Sequence, residues 1–508
     1  MAIATTDRLT DAILQRDQPR TTDLFFQMVR REGHSLGEAL GAVTAAEAPF
    51  VQVPNHINVR DGMITLVNND HTILGLRTAA ALAPFLPESH RLLPLLQAVW
   101  YVPAGLDIWN QLLGKYPGRY ATMKGMNVPP PSHGPVVWNR DEPPITQEGP
   151  IAEQLHAHMI ATMSGDVRRS YGLFLGLAGD ARTRPLLRDH MLFLGLIDLQ
   201  DTIIGRKARN TGHKALRARA VVDLADVIGW DQARGVYYIG VPDMAVGPLY
   251  YSLYDAACVT IAAEFPDAGK SLKAANALPL TPTEVEAMVQ QLTEADPQTV
   301  WNLITAHLRN GKSLKSLGDT IQVGAAELIL RTTVPRQFTD AQHVFDYCNV
   351  ANYWMRTSDN PYQPRVLYLM ANFVNDAARS NKLHTSVRER ECAGFDFARR
   401  TPQSLLHELD EAILAYDVPR TTAVASAYLA SGADRTAYMQ TVALAACKFQ
   451  DDPHNQKITH STFEEYGHNG THLRDHLLLA TVRLLAGWPK MPGERDCYAR
   501  FTKEWINN

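Results

Sequence analysis

Histidine and carboxylate side chains gather in one stretch near the end of the chain. From His460 to His476, every fourth residue is His or Glu. Residues four apart share one face of an α-helix, and imidazole and carboxylate groups together suit iron, zinc or manganese. The Gly467–Gly470 segment should interrupt the stripe. We therefore predict two helices, the first of which carries His460 and Glu464.

A metal site built on this stretch would also draw on residues outside the stripe. Asp451 and His454 lie just before it, and His213 holds a comparable position in the first half of the chain. We predict His213, Asp451, His454 and His460 as metal ligands, with iron as the expected ion and zinc or manganese as alternatives. In the competing interpretation, these histidines are solvated or hydrogen-bonded and hold no ion.

Two further histidines occupy corresponding places in the two halves. His71 and His343 each lead into a helical segment. An unperturbed imidazole titrates near neutral pH and can transfer protons, so we predict His71, His343 and Glu464 as catalytic groups. A shared packing or capping position would explain the two histidines equally well.

The two halves of the chain share short motifs in the same order. The matches include Gly33 with Gly311, Ser35 with Ser313, Asp166 with Asp417, and Trp230 with Trp488. Each match is weak, but a series in one order indicates an internal repeat. We predict two diverged tandem copies of one unit, at residues 20–250 and 295–490, joined by a connecting segment at 251–294. Chance similarity between Ala- and Leu-rich helices is the competing explanation.

The hydrophobic pattern predicts a mainly α-helical fold. Apolar residues recur at intervals of three and four in segments such as Leu187–Ile197 and Leu405–Leu414. Thr281 and Glu284 form the sequence signature of a capped helix start. Strand signals are few, and Gly235–Val241 is the best of them. We expect two helical copies packed together with a few short β segments.

Composition argues against several classes of partner. The 508-residue chain has a formal net charge of -4 and no Lys/Arg-rich run, so we expect neither nucleic acid nor a membrane surface as partner. We see no secretory signal and no apolar run long enough for a membrane span. Five scattered cysteines without a Cys-x-x-Cys pair fit a reducing cytoplasm.

Motifs of other enzyme classes are missing or poorly placed. The chain has no P-loop and no Gly-x-Gly-x-x-Gly that follows a strand. Residues 33–37 match Gly-x-Ser-x-Gly letter for letter, but they follow a charged helix end. A nucleophile elbow requires a buried strand at that point, so the motif does not predict a serine hydrolase.

Short motifs resemble one known family of oxidative enzymes. Asn68-Asn69-Asp70-His71-Thr72-Ile73-Leu74, at the start of an Ala-rich helix, resembles the histidine-bearing helices of questin oxidase-like proteins. Leu199-Gln200-Asp201, His213 and Gly229-Trp230 also resemble helical domains that accompany Rieske-type ferredoxin domains in bacteria. The resemblance implies oxidation of a small organic substrate. The chain lacks the Cys-x-His pairs of a Rieske cluster, so electrons would come from an external donor.

Together these patterns predict a metal-dependent, oxygenase-like oxidoreductase with a small organic substrate in a histidine-lined helical pocket. Two alternatives stay open. The same residues could activate water in a metal-dependent hydrolase or lyase. The histidines could also be structural, in a non-enzymatic helical scaffold that binds a small molecule.

Overall fold

The computed structural model describes residues 5–48, 52–58, 63–68, 71–115, 142–199, 212–245, 251–266, 272–383, 392, 394–397, 399–449, 453–488 and 493–506. The fold of these residues is mainly α-helical, which confirms the predicted class. The chain divides into two compact units. The first is Met1–Ala80 with Leu92–Tyr250, and the second is Ala81–Arg91 with Tyr251–Asn508. None of the described helices is both long and apolar enough to cross a membrane.

Helices and one β-hairpin make up the described part of the first unit. The helices are α1 (Thr5–Leu14), α2 (Gln18–Arg30), α3 (Leu36–Glu47), α4 (His71–Leu82), α5 (Leu93–Lys115), α6 (Ile151–Met163), α7 (Val167–Gly179), α8 (Arg184–Ile197), α9 (His213–Ile228) and α10 (Arg234–Gly240). Strands β1 (Gln52–Asn58) and β2 (Met63–Asn68) pair antiparallel between α3 and α4, and a 3-10 turn at Pro242–Ala245 follows α10. Helix α1 packs against α3, α2 against α5, α6 against α7, and α9 against α8 and α10.

The second unit begins with two 3-10 turns, Ala83–Phe85 and Glu88–His90. Its helices are α11 (Ser252–Glu264), α12 (Leu272–Ala275), α13 (Pro282–Glu294), α14 (Pro297–Arg309), α15 (Leu314–Leu330), α16 (Pro335–Thr357), α17 (Gln363–Ser380), α18 (Pro402–Leu414), α19 (Val418–Ala430), α20 (Arg435–Ala446), α21 (His454–His468), α22 (Asp475–Gly487) and α23 (Asp496–Arg500), followed by a π-helical turn at Phe501–Trp505. The segment predicted as a connection, 251–294, contains α11, α12 and α13, which pack within this unit.

Several matching motifs lie at corresponding helix ends in the two units. Gly33 and Gly311 have positive φ angles of 74° and 72°, a conformation that favours glycine. Two residues later, Ser35 and Ser313 cap α3 and α15 through their side-chain oxygens. Helix α13 packs against α15, α14 against α17, α18 against α19, and α21 against α20 and α22, which repeats the pattern of the first unit. The duplication stays a prediction that these similarities favour.

One prediction about a single segment is wrong. Gly235–Val241 is not a strand, because residues 234–240 form α10. The run is buried on every side, and a short apolar run without alternation is compatible with a buried helix. A Cβ at Gly235 would lie 2.7 Å from the carbonyl carbon of Thr44, so glycine lets α10 approach α3 closely.

Candidate functional site

Two helices of the second unit, α16 and α21, bring two buried histidines together. His343 lies on α16, and His454 is the first residue of α21. Their ring centroids are 5.7 Å apart and their planes form an angle of 80°, an edge-to-face contact. Both side chains are almost completely buried. His454 also stacks on Trp488, with 4.2 Å between ring centroids. We call His343 and His454 the second histidine pair.

A backbone contact determines which nitrogen of His343 carries the proton. Its Nδ1 lies 2.6 Å from the carbonyl oxygen of Thr339, one helical turn earlier. A carbonyl oxygen only accepts hydrogen bonds, so Nδ1 must donate. In the neutral ring, Nε2 is then the basic nitrogen. Metal-binding histidines and general bases both use this arrangement, because it orients the ring and leaves one lone pair for chemistry.

Polar side chains continue along the interface between α16 and α21. The Gln342 amide donates a hydrogen bond of 2.9 Å to the carbonyl oxygen of His454. One turn from the histidines, Asp346 and Lys457 form a buried ion pair with 3.5 Å between Oδ2 and Nζ. Burial raises the pKa of Asp346, and the neighbouring Lys457 ammonium opposes that rise. Buried polar groups oppose folding unless they are paired, so this concentration is unusual for a simple packing interface.

Glu464 and His460 lie further along the same helix. Both belong to α21, which ends at His468, as predicted for the first of the two helices. With a rise of about 1.5 Å per residue, His460 and Glu464 lie about 9 Å and 15 Å beyond His454 along the axis. Glu464 accepts a hydrogen bond of 2.7 Å from the Asn349 amide. The structure therefore does not bring Glu464 to the second histidine pair.

The first unit contains a comparable contact between two histidines. His71 opens α4, and His213 opens α9. Their ring centroids are 5.6 Å apart with an interplanar angle of 70°. We call them the first histidine pair. The residue after His213 is Lys214, which is buried and donates hydrogen bonds to the Asp198 carboxylate, at 2.7 Å, and to the Met244 carbonyl oxygen, at 3.1 Å.

A buried carboxyl group lies beside α4 in the first unit. Glu47 is fully buried at the end of α3 and accepts a hydrogen bond of 2.6 Å from the Thr72 hydroxyl. Burial raises the pKa of Glu47 to about 8, although the Thr72 hydrogen bond lowers it. This carboxyl group is therefore mostly protonated at neutral pH. Sequence analysis missed Glu47, and its only signal was an acidic residue at the end of an Ala-rich helix.

A third pair of histidines forms a direct hydrogen bond. In the first unit, His158 Nδ1 lies 3.0 Å from His190 Nε2, and Ser170 Oγ lies 3.4 Å from His158 Nε2. Burial lowers the pKa of His190 to about 4 and holds the pKa of His158 well below its usual range. Both rings are therefore neutral at pH 7, and they link α6, α7 and α8 in one buried network.

The predicted metal ligands are only partly brought together. Asp451 lies outside the described residues. His213 belongs to the first unit, whereas His454 and His460 belong to the second. In the described part of the chain, no group of three or more His, Cys, Asp or Glu side chains is arranged to hold an ion. The second histidine pair supplies two imidazole donors, and the full ligand set stays a prediction.

Sequence analysis also missed Asp346 and Lys457. Asp346 follows His343 by three residues, and Lys457 follows His454 by three. Residues three apart lie on one face of a helix. That shared spacing is the signal that could have identified both residues from the sequence.

A groove of about 580 Å³ lies elsewhere in the second unit, between α11, α14 and α17. Trp301, Asn302 and Asn372 are among the residues that line it. None of the predicted site residues contributes to it, so its position does not support the histidine site.

Comparisons with known proteins find no relative: no protein-family model, curated protein or solved structure matches the chain. The resemblance to questin oxidase-like proteins therefore depends on the short motifs alone. What the chain does has to be inferred from the chemistry of its own buried polar residues.

Proposed function

We propose that this protein is an oxygenase-like oxidoreductase that acts on a small organic substrate, with His343 and His454 as its reactive imidazoles. The observation that supports this most is the orientation of His343, whose Nδ1 donates to the Thr339 carbonyl oxygen. In the neutral ring, Nε2 then carries the lone pair, and a nitrogen of this kind can bind an ion or accept a proton. Both rings are buried in a polar helix interface. Proteins accept the free-energy cost of such buried polar groups mainly at functional sites.

Iron is the proposed cofactor, with zinc or manganese as alternatives. The described residues offer two imidazole donors in the second histidine pair. We propose Asp451, three residues before His454 in sequence, as the carboxylate that completes the set. Imidazole and carboxylate together suit these ions. A bound ion of this kind supplies Lewis-acid or redox chemistry. An external protein would deliver electrons where the reaction consumes them.

The first experiment is elemental analysis of protein purified without added metal and without a His-tag. Near-stoichiometric iron should be present in the wild type and lost in His343→Ala and His454→Ala. His407→Ala is the matched control, because the His407 side chain is 76% exposed on α18 and should not affect metal content. Zinc alone would favour the hydrolase or lyase alternative. No metal after anaerobic reconstitution with Fe(II), Mn(II) and Zn(II) would refute the metal-dependent enzyme.

One observation favours a second candidate function, a non-enzymatic scaffold that binds a small molecule. Both units contain an edge-to-face contact between two histidines, at 5.6 Å and 5.7 Å. If these histidines only pack the helices together in both units, the same contact is expected in each unit. In that case, His343→Ala and His71→Ala should reduce thermal stability to a similar extent, and neither should change metal content.

A further inference from the structure

Side chains from three helices of the second unit line the groove between α11, α14 and α17. Helices α11 and α14 both pack against α17. Ala256 on α11 and Ala306 on α14 line the groove with single methyl groups, and about 580 Å³ stays open between the helices. This volume is typical of small-molecule sites. Most of the other lining side chains carry hydrogen-bonding groups, so the groove suits a polar ligand.

An indole ring is held in place in the wall of this groove. Trp301 Nε1 donates a hydrogen bond of 3.0 Å to the Thr260 hydroxyl on α11. The Trp301 ring also packs on Tyr368, with 4.6 Å between ring centroids and an interplanar angle of 40°. Trp301 is only partly buried and lines the groove. A ring already fixed by its neighbours loses little freedom when a flat ligand stacks on it.

Two side-chain amides line the groove close to this ring. Asn302 follows Trp301 in the sequence, and its Oδ1 accepts a hydrogen bond of 3.0 Å from Gln298. Asn372 lies one helical turn after Tyr368, the residue on which Trp301 packs. The side-chain nitrogens of Asn302 and Asn372 donate no hydrogen bond to the described residues. An amide offers a donor and an acceptor in one plane, and this arrangement matches the edge of a purine base.

An ion pair joins α11 and α14 further along the groove. The Arg309 guanidinium contacts the Glu264 carboxylate, and both side chains line the groove. Because the two charges balance, the groove favours a ligand without net charge. A carboxylate can accept hydrogen bonds from the neighbouring hydroxyls of a ribose. Glu264 lies four residues after Thr260, the hydrogen-bond partner of Trp301, which is about 6 Å along α11. The base and the hydroxyls of a nucleoside are separated by a comparable length.

We infer that this groove binds a purine nucleoside, whose flat base and neighbouring hydroxyls match its two ends. The base stacks on Trp301, and the amides of Asn302 and Asn372 form hydrogen bonds with its edge. The Glu264 carboxylate accepts hydrogen bonds from the ribose hydroxyls. No residue of either histidine pair lines the groove, so the inference does not depend on the proposed oxidoreductase function. A nucleoside carries no phosphate, and its site therefore requires neither a P-loop nor another glycine-rich phosphate loop.

Isothermal titration calorimetry with adenosine, guanosine and inosine tests the inference. At least one of them should bind the wild type at one site per chain, with a Kd below about 1 mM. Asn372→Leu and Trp301→Ala should each weaken that binding at least about tenfold, because they remove the contact with the base edge and the stacking surface. Gln290→Leu is the matched control, because Gln290 is an exposed amide on α13 that donates to Glu294. If none of the three nucleosides binds, the inference is overturned.

The ion pair gives a second test, which concerns the charge of the ligand. The wild type should bind adenosine at least as tightly as adenosine 5′-monophosphate, because the Glu264 carboxylate repels a phosphate. Glu264→Gln leaves the Arg309 guanidinium without its counter-charge, and Arg binds phosphate through charge-assisted hydrogen bonds. The ratio of the two affinities should therefore move about tenfold towards the monophosphate in this variant. A wild type that already prefers the monophosphate tenfold would contradict a site for a neutral nucleoside.

Removal of the whole Trp301 side chain could unfold the unit, so a milder variant is included. Trp301→Phe keeps a ring against Tyr368 but has a smaller surface for stacking, and it should bind the nucleoside less tightly than the wild type does. Circular dichroism and thermal unfolding show whether each variant is folded. Folded Trp301→Phe and Asn372→Leu variants that bind as tightly as the wild type would place the nucleoside elsewhere and refute the inference. Tighter binding of cellobiose than of any purine nucleoside would indicate a carbohydrate site, and would also refute it.

Discussion

Replacement of Glu47 by Gln should stabilise the protein more strongly as pH rises. The carboxyl group of Glu47 is fully buried, and its described hydrogen-bond partner is the Thr72 hydroxyl, at 2.6 Å. Gln keeps the acceptor oxygen for this bond and does not ionise. A buried carboxyl group must stay protonated or bury its charge at pH values where the solvent-exposed group is ionised, and both cost free energy. The variant therefore removes only this cost.

The magnitude follows from the pKa of Glu47. Burial raises this pKa from 4.5 to about 8 in the folded protein. A carboxyl group whose pKa is raised on folding contributes stability below its unfolded pKa, and that contribution is lost as pH rises through the folded pKa. The loss occurs between pH 4.5 and about 8. At about 1.4 kcal/mol per pH unit, the wild type should lose about 4 kcal/mol relative to Glu47→Gln between pH 5 and pH 8.

Urea unfolding followed by circular dichroism measures this difference. The free energies of unfolding of the wild type and Glu47→Gln should be similar near pH 5 and diverge steadily up to pH 8. Glu153→Gln controls for the loss of one negative charge, because Glu153 is exposed on α6 in the same unit. A constant difference between the wild type and Glu47→Gln across this range would show that Glu47 ionises normally, and would refute the reasoning from burial.

Three further predictions concern the first unit. Because burial lowers the pKa of His190 from 6.5 to about 4, its contribution to stability is present above pH 6.5 and lost as pH falls towards 4. Between pH 6.5 and pH 4, the free energy of unfolding measured in urea should therefore fall by about 3 kcal/mol more in the wild type than in His190→Gln. Lys214→Met should destabilise the fold by about 3–5 kcal/mol, and addition of Asp198→Asn should recover most of that loss in thermal unfolding. Gly235→Ala should lower the melting temperature by several degrees, because its Cβ would meet the backbone of α3 at 2.7 Å, whereas Gly179→Ala, with open space around it, should not.

Local features of the fold could be predicted from the sequence, because they depend on residues close together in the chain. The capping box of Thr281 and Glu284 is present at the start of α13. The break after His468 separates α21 from α22, as the two glycines that flank it predict. Caps and breaks of this kind act through hydrogen bonds and backbone angles within one helical turn. The sequence by itself therefore determined the helical class and many helix ends.

The tertiary structure alone decided which polar residues meet. His343 contacts His454, more than a hundred residues away, while Glu464 on the same helix as His454 is directed to Asn349. The pattern of Gly235–Val241 could not distinguish a buried strand from a buried helix, and close packing against α3 selected the helix. The raised pKa values of Glu47 and Asp346 follow from burial. The burial of these carboxyl groups is set by packing between segments that are distant in the sequence.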